Sequence, residues 1–448
     1  MDFRNVVDAR HPVYSRMVDE WNFFLASYRG GAEYIKQGNL FSHRLEHKGP
    51  EANDFVERKK RSYYLNYCRP IVDLYTSYLF KDPPHISPVE PFVHLLADAD
   101  GKGTGLFEFM RRTATLSSVF GHVWVGVDRP KDGGRAYLTL FYPQNFLNWE
   151  TDDANRLLWC LVREPWGRCE VVRDGDRIGL IDGRSWVYRL WTTDEWFVLD
   201  SKGRLMEQGD HGYGCVPFVC VKHRDVEGEL LGESLIADIA YVNREIYNLS
   251  SLLQEILARQ TFSQLVAQGS AEEYGDIAKL GTSSIFLYPE GKNPPQFISP
   301  DTSQARILIE AIDRAISEIY RLANLRRGSI KGELQQSGIS KAFDFLDTYQ
   351  VLSDKAQQVE DGFRRVLELY SVVDTGEVRE VAVRLTRSFG VERTGDLIEE
   401  TKRLFDLGIP DAFKRELLKQ LAHTKLAGAS RSVRDRIVRE IEGMSFGS

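Results

Sequence analysis

Apolar and polar positions along this chain follow two different periods, one typical of helices and one typical of strands. Before residue 121, apolar residues recur at three- and four-residue spacing. This predicts helices in HPVYSRMVDEWNFFLASYRG, in FVERKKRSYYLNYCRPIVDLYTSYLF and in GLFEFMRRTATLSSVFG. The second helix is expected to end at Lys81, because the prolines of DPP block its continuation. From about Gly121 to Val221, apolar and polar residues alternate between Asp-Gly and Gly-Gly turns, which predicts a β-rich region.

Three later stretches show the regular apolar seam of long packed helices. The first seam consists of Leu235, Ile239, Val242, Ile246, Leu249, Leu253 and Ile256. The second consists of Ala305, Leu308, Ile312, Ala315, Ile319 and Leu322. The third consists of Ala342, Phe345, Tyr349, Leu352, Ala356, Val359, Phe363, Val366 and Tyr370. Taken one at a time, such seams most often pack inside the helical bundle of a single chain.

The connections between these helices are not short turns. The first connection contains TSSIFLYPEGKNPPQFI, which predicts two short strands around a turn at Glu290 to Pro295. The second is NLRRGSIKGELQQSGIS, Asn324 to Ser340, roughly three times longer than a tight helix connection. Because neither connection is a tight return, we expect adjacent copies of the chain to cover the seams, in a ring. The predicted fold class is α+β and predominantly helical.

Composition limits the classes of function. The 448 residues are 42% hydrophobic and 27% charged, as in ordinary globular proteins, and the net charge of -7 argues against wrapping a nucleic acid by bulk electrostatics. Five cysteines without a CxxC pair are expected to stay reduced: Cys68, Cys160, Cys169, Cys215 and Cys220. The N-terminus lacks a signal-peptide core, and no apolar run approaches the roughly 18 residues of a membrane span. We therefore expect a soluble chain with no membrane contact.

Motifs for catalysis or for metal binding fail on inspection. In DADGKGTGLFEF, Asp98 suits the start of a calcium loop, but Lys102 and Phe109 occupy positions that need oxygen ligands. The same stretch lacks the GxxxxGK[ST] spacing of a phosphate-binding loop. His43 and His47 lack the HExxH glutamate and a third ligand, and no GxSxG elbow is present. The sequence therefore predicts no catalytic residue, no metal site, no cofactor and no enzymatic activity.

From roughly residue 55 to residue 410, the order of the predicted elements resembles the portal proteins of tailed bacteriophages. Three stretches support the resemblance locally: RSYYLNYCRPIVDLYTSYLFKDPP, DGKGTGLFEFMRRTATLSSVFGHVWVGVD and QQSGISKAFDF. The first is similar to an early helix of the family, the second to the entry into its β-rich wing, and the third to the Ser-Gly that opens the helix after its tunnel loop.

The resemblance implies a portal-like fold that forms a ring, with a wing, a stem, a clip and a small crown. It divides the chain into a wing over 1–225, a first stem helix over 226–260, a clip over 261–300, a second stem helix over 301–325, a tunnel loop over 326–340, a long helix over 341–372 and a helical crown region over 373–448. The residues of the first two seams then belong to the stem. Phe286, Tyr288 and Phe297 belong to the clip.

The resemblance also implies a function. Portal proteins form rings of about twelve copies at one capsid vertex, where double-stranded DNA passes through the channel during packaging and ejection. The implied partners are other copies of this chain, double-stranded DNA without sequence specificity, the large terminase subunit, a head-tail connector or adaptor protein, and the major capsid or scaffolding protein. The expected location is the virion, after assembly in the host cytoplasm.

The tunnel loop is expected to contact the DNA. Arg326, Arg327, Lys331, Gln335 and Gln336 would face the duplex. The loop hinges would be Gly328, Gly332 and Gly338, since glycine relaxes the backbone. A simpler interpretation leaves the arginines at a helix C-terminus, where cations favour the helix dipole, with Gly328 as its cap.

One other class of function stays open at this point. A non-enzymatic intracellular adaptor or scaffold oligomer could have the same three seams. It would be monomeric or dimeric on a sizing column and would form no rings. A DNA enzyme would instead need clustered carboxylates for a divalent metal.

Overall fold

The computed structural model describes residues 3–44, 46, 53–130, 133–174, 177–260, 264–266, 296–298, 303–325, 338–387, 389, 410–425 and 431–444. The chain divides into two compact units, Met1–Arg387 and Ser388–Ser448. The first unit combines helices with antiparallel strands, and the described part of the second is helical. This agrees with the predicted mixture of helix and strand. None of the described helices is long and apolar enough to cross a bilayer.

The described helices are α1 (Arg4–Asp8), α2 (Pro12–Arg29), α3 (Gly31–Lys36), α4 (Asp54–Arg61), α5 (Cys68–Leu79), α6 (Val93–Ala97), α7 (Leu106–Phe120), α8 (Ala237–Gln260), α9 (Ser303–Leu322), α10 (Gly338–Thr375), α11 (Asp411–Lys425) and α12 (Arg431–Glu442). The described strands are β1 (His85–Ser87), β2 (His122–Asp128), β3 (Tyr137–Phe141), β4 (Phe146–Thr151), β5 (Leu157–Trp166), β6 (Cys169–Asp174), β7 (Arg177–Asp182), β8 (Ser185–Thr192), β9 (Glu195–Leu199), β10 (Leu205–Asp210), β11 (Phe218–Lys222), β12 (Gln264–Val266), β13 (Gln296–Ile298) and β14 (Ala382–Arg384).

The strands between residues 122 and 222 form three antiparallel sheets, in the region where alternation predicted strands. Their orders are β11-β2-β3, β10-β9-β8-β5-β4 and the separate pair β6-β7. Aromatic contacts join the first two sheets: the Trp124 ring stacks on the Phe146 ring at a centroid distance of 3.8 Å. Gly126 leaves room for the Phe218 ring of its own sheet, because a Cβ there would lie 2.9 Å from that ring.

The long helix predicted between residues 55 and 81 is two helices in the structure, α4 and α5. The segment between them is not helical. The Asn66 side chain accepts a hydrogen bond from the Arg69 backbone N–H at 2.9 Å, which satisfies a free donor at the start of α5. The Tyr64 hydroxyl donates to Asn243 Oδ1 on α8 at 2.8 Å. Contacts to a distant helix thus override the local helical pattern, and the prediction of one continuous helix was wrong.

The third seam lies inside the first unit of a single chain. Leu352, Val359 and Phe363 are fully buried where α10 packs on β11, β2 and β14. The backbone of α10 approaches β11 so closely that a Cβ on Gly362 would lie 2.9 Å from Val221. The expectation that adjacent copies cover this seam was therefore wrong for the part from Leu352 to Tyr370, which the first unit buries. Tyr349, near the start of the seam, is 38% exposed.

The first seam is partly covered by the same unit. Ile239 and Ile246, in the N-terminal half of α8, are 1% and 0% exposed, because α8 packs on α2, α4 and α5. Leu235 lies in the turn before α8 and not in the helix. The other seam residues of α8 are partly exposed: Val242, Leu249, Leu253 and Ile256. The first unit therefore buries this seam fully at Ile239 and Ile246 only, and after Ile246 none of its residues is fully buried.

The end of the first unit lies later than the resemblance implied. Strand β14 pairs antiparallel with β1, with Ile86 opposite Val383. Beyond it, Arg387 forms an ion pair with Glu360 of α10 at 2.9 Å. Residues 373–387 therefore belong to the first unit rather than to a separate helical crown. In the second unit, α11 and α12 pack together, with Lys419 and Glu442 3.0 Å apart.

Candidate functional site: the two-helix rod and its base

Helices α8 and α9 form a rod of two helices. Strand β12 follows α8, strand β13 precedes α9, and these strands pair antiparallel with Leu265 opposite Phe297, so the two helices run in opposite directions. At 1.5 Å per residue, the 24 residues of α8 extend about 36 Å. Helix α9 packs mainly on α8. The side of α9 that faces away from α8, its outer side, therefore has few neighbours in the described part of the chain.

Helix α9 buries one side only. Ile319, near its C-terminal end, is fully buried, whereas the seam residues Leu308, Ile312 and Leu322 are partly exposed. Two isoleucines outside the seam, Ile307 and Ile309, are 65% and 48% exposed. Single exposed apolar side chains are common on soluble proteins, but together with the partly exposed seam these two extend the apolar surface that α9 presents.

One asparagine attaches the N-terminal half of α8 to the segment between α4 and α5. Asn243 of α8 is fully buried. Its Nδ2 donates to the Leu65 carbonyl at 2.7 Å, and its Oδ1 accepts from the Tyr67 backbone N–H at 3.0 Å. A buried amide with satisfied donors and acceptors orients the two segments more specifically than apolar contact does. This role was not predicted from the sequence, where its signal is an Asn within an apolar helical seam.

A buried arginine joins α4 to the middle of the rod. Arg58 is 2% exposed, and its Nε donates to Glu46 Oε1 at 2.6 Å. Its Nη1 donates to Ser251 Oγ on α8 and its Nη2 to the Phe41 carbonyl, both at 2.6 Å. A fully bonded guanidinium tolerates burial because its donors are satisfied. This network was also missed, since Arg58 lies in the basic run ERKKR that looks like a solvated helix face.

The base of the rod is anchored where the polar loop begins. The Ala323 carbonyl accepts a hydrogen bond from the Tyr75 hydroxyl of α5, and the Asn324 carbonyl accepts one from Thr348 Oγ1 of α10. Asn324 adopts a left-handed backbone conformation with a φ of 49°, which ends α9. Hydrogen bonds thus attach the C-terminal end of α9 to α5 and to α10, where the polar loop begins.

A cavity of about 510 Å³ lies at this base, between the N-terminal end of α8 and the middle of α10. Lys355 and His223 line it, with Lys355 Nζ 3.1 Å from His223 Nδ1 and 3.3 Å from the Ala114 carbonyl. Burial lowers the pKa of Lys355 to about 7. Burial, reinforced by the nearby Lys355, lowers the pKa of His223 well below its usual value. Carboxylates of Asp238 and Asp354 also line the cavity.

The structure brings together some of the predicted site residues. The seam residues lie on α8 and α9, apart from Leu235, and Phe297 lies in β13. Gly338, predicted as a loop hinge, is the first residue of α10, so the last residues of the predicted loop are helical. The other loop and clip predictions lie outside the described residues: Arg326, Arg327, Gly328, Lys331, Gly332, Gln335, Gln336, Phe286 and Tyr288.

The aspartates of the rejected calcium loop have a structural role. Asp98 Oδ1 accepts hydrogen bonds from the backbone N–H groups of Lys102 and Gly103, at 3.1 and 3.0 Å. The Ala99 carbonyl in the same loop accepts a hydrogen bond from the Leu138 N–H of β3. Within the described residues, no group of three His, Cys, Asp or Glu side chains is arranged to hold a metal ion.

Comparison with solved structures gives matches over most of the chain. A chain of the virion of a native gene transfer agent particle aligns with a TM-score of 0.46 and 14% identity, over 78% of this chain and 89% of that chain. A chain from the neck of that particle, computed with C12 symmetry, aligns with a TM-score of 0.45 and 13% identity over the same shares. The HK97 family phage portal protein from Corynebacterium diphtheriae aligns with a TM-score of 0.36 and 12% identity, over 76% of this chain and 93% of that chain.

No family model and no curated protein sequence matches this chain.

Proposed function

We propose that this chain is the subunit of a portal ring, a non-enzymatic virion protein through which double-stranded DNA enters and leaves a phage-like capsid. The observation that carries the proposal is the rod: its outer helix α9 packs mainly on α8 and leaves Ile307 and Ile309 exposed. Copies arranged around an axis would cover these isoleucines with the next rod. The portal-like element order of the sequence supports the same function.

The base of the rod supports the proposed place of the DNA-contacting loop. Hydrogen bonds from α5 and α10 fix Ala323 and Asn324, which only Leu325 separates from Arg326 and Arg327 in the sequence. A ring would repeat these cations around its axis, where they would meet phosphates. Each phosphate contact adds a salt-sensitive contribution to affinity, so a few cations per copy suit a channel that has to release DNA as well as contact it.

The proposed partners are those that the resemblance to portal proteins implies. The clip over 261–300, which includes Phe297 in β13, would contact the large terminase subunit during packaging and the head-tail connector afterwards. The sheets between residues 122 and 222 would form the wing and face the major capsid or scaffolding protein. The ring would occupy one capsid vertex, assemble in the host cytoplasm and contain about twelve copies.

The first test is the assembly state of the purified full-length chain. We expect hollow rings in negative-stain images and a mass near twelve subunits by mass photometry, because the exposed isoleucines of α9 favour association. A chain that stays monomeric or dimeric at micromolar concentration would contradict the ring and would favour the adaptor class of function.

The second test concerns the loop. Replacing Arg326, Arg327 and Lys331 together by Gln should leave the ring assembled and lower the DNA content of particles assembled with the cognate capsid proteins by severalfold. The measurement is DNA per particle after nuclease treatment. The matched control replaces three exposed cations outside the loop by Gln: Arg16, Arg112 and Lys202. Equal DNA content in the loop variant and the control would remove the loop from the mechanism.

A further inference from the structure

A cation on α8 lies among three aromatic rings without an acceptor for its hydrogen bonds. The guanidinium carbon of Arg244 is 4.9 Å from the centroid of the Phe23 ring, 5.3 Å from that of Phe41 and 4.9 Å from that of Tyr241. Within the described part of the chain, this guanidinium forms no hydrogen bond and no ion pair. Its N–H donors are thus free to bind an anion. We call these four residues the aromatic clamp.

The aromatic clamp is both exposed and fixed. Phe41 and Tyr241 are 54% and 41% exposed, whereas Phe23 is buried beneath them. The Phe41 backbone N–H donates to Asn248 Oδ1 at 2.8 Å, and its carbonyl accepts from the buried Arg58 at 2.6 Å. These bonds hold the Phe41 backbone against α8, and burial holds the Phe23 ring.

This geometry orients the Arg244 guanidinium so that it can bind a carboxylate. Cation-π contact restrains a planar guanidinium without using its N–H donors, so little side-chain entropy is lost when two of them bind one carboxylate. Surface arginines and tyrosines that are already ordered are the residues that contribute most to binding between proteins. A lysine at position 244 could neither stack a planar group on the rings nor bind both oxygens of a carboxylate through two parallel N–H donors.

We propose that the aromatic clamp binds a carboxylate side chain of an adjacent copy of this chain. The inference rests on the proposed ring and names a contact within it. Charge favours this occupant: with 65 acidic and 58 basic side chains, another copy carries a net charge of -7, which attracts a cation. A ring also joins two different surfaces of successive copies, so the acceptor need not lie near its own Arg244.

The test compares assembly of three full-length variants with the wild-type chain by mass photometry over a dilution series. Arg244→Glu should raise the concentration at which half the chains are assembled by at least about tenfold, because it places two carboxylates opposite each other. Arg244→Lys should raise it less, since the charge remains. Arg112→Glu, the same charge change on the exposed side of α7, should leave it unchanged.

The outcomes separate this inference from the proposed ring. Wild-type chains that form no rings would overturn both. Rings that form at the same concentration with Arg244→Glu as with wild type would overturn the aromatic clamp alone. Normal assembly with weaker binding of a duplex DNA probe would also overturn it and would assign Arg244 to phosphate. If Arg244→Glu lowers the thermal midpoint, the same measurement on Arg244→Gln decides, because that change removes only the charge.

Discussion

At the scale of single residues, buried polar groups determine how the long helices are placed. Asn243 of α8 binds the Leu65 carbonyl in the segment before α5, and Arg58 of α4 binds Ser251 of α8, so both bonds join residues far apart in sequence. Apolar contact alone would allow α8 to slide or rotate, whereas each of these hydrogen bonds has a single geometry. Their roles were hidden in the sequence because a polar residue shows its partner only once the chain has folded.

Lys355 gives a prediction for the dependence of stability on pH. Burial lowers its pKa to about 7 from the usual 10.5, so the unfolded chain binds more protons than the folded chain between these values. The free energy of unfolding should therefore rise with pH from about 7 to about 10, while below pH 7 this residue adds no further change. His223, whose pKa lies well below its usual value, stays neutral over that range.

Lys355→Met should remove this rise and should increase the thermal midpoint at pH 7 by several degrees, because no charge has to be buried. The measurement is the thermal midpoint of both chains at intervals from pH 6 to pH 10, with Lys202→Met, an exposed lysine, as the control. Parallel curves for wild type and Lys355→Met would show that the amine is hydrated in the folded protein.

At the scale of elements, periodicity predicted where the long helices lie but not what covers them. The third seam has the same spacing as the second, yet Val359 and Phe363 of α10 are buried by strands of the same chain, whereas α9 packs mainly on one helix. An apolar seam indicates that a helix packs against other elements. It does not show whether those elements belong to the same chain or to another copy. The division between α4 and α5 was missed for a related reason, since contacts to α8 determine it.

Two isoleucines on the rod should respond differently to the same change. Ile246 is fully buried within the chain, so Ile246→Asp should lower the thermal midpoint strongly or leave the protein insoluble, because it buries an unpaired carboxylate. Ile307 is 65% exposed, so Ile307→Asp should leave the midpoint within about one degree and should weaken assembly.

The measurements are thermal unfolding of the dissociated chain and mass photometry of the assembled one. Each variant is the control for the other, since both place an aspartate on the rod. Undiminished assembly of Ile307→Asp would mean that the outer side of α9 does not contact another copy.

At the scale of the whole molecule, the sequence predicted the mixture of helix and strand and their order, because long periodic stretches report their own secondary structure. It did not predict the boundary between the two units. That boundary depends on the pairing of β14 with β1 and on the ion pair of Arg387 with Glu360. Three-residue strands have no recognisable period, so a crown beginning at residue 373 was a reasonable expectation from sequence and differs from the structure.

Truncation tests this boundary. A chain ending at Gly390 keeps all of the first unit and should retain its thermal midpoint within about two degrees. A chain ending at Gly376 loses β14 and Arg387, which leaves β1 without its partner strand and Glu360 without its guanidinium. Leaving a largely buried carboxylate unpaired costs about 3–5 kcal/mol, so the midpoint should fall by many degrees. Equal midpoints for the two truncated chains would show that residues 377–390 do not stabilise the first unit. A large loss in the longer chain would show that the first unit needs the second in order to fold.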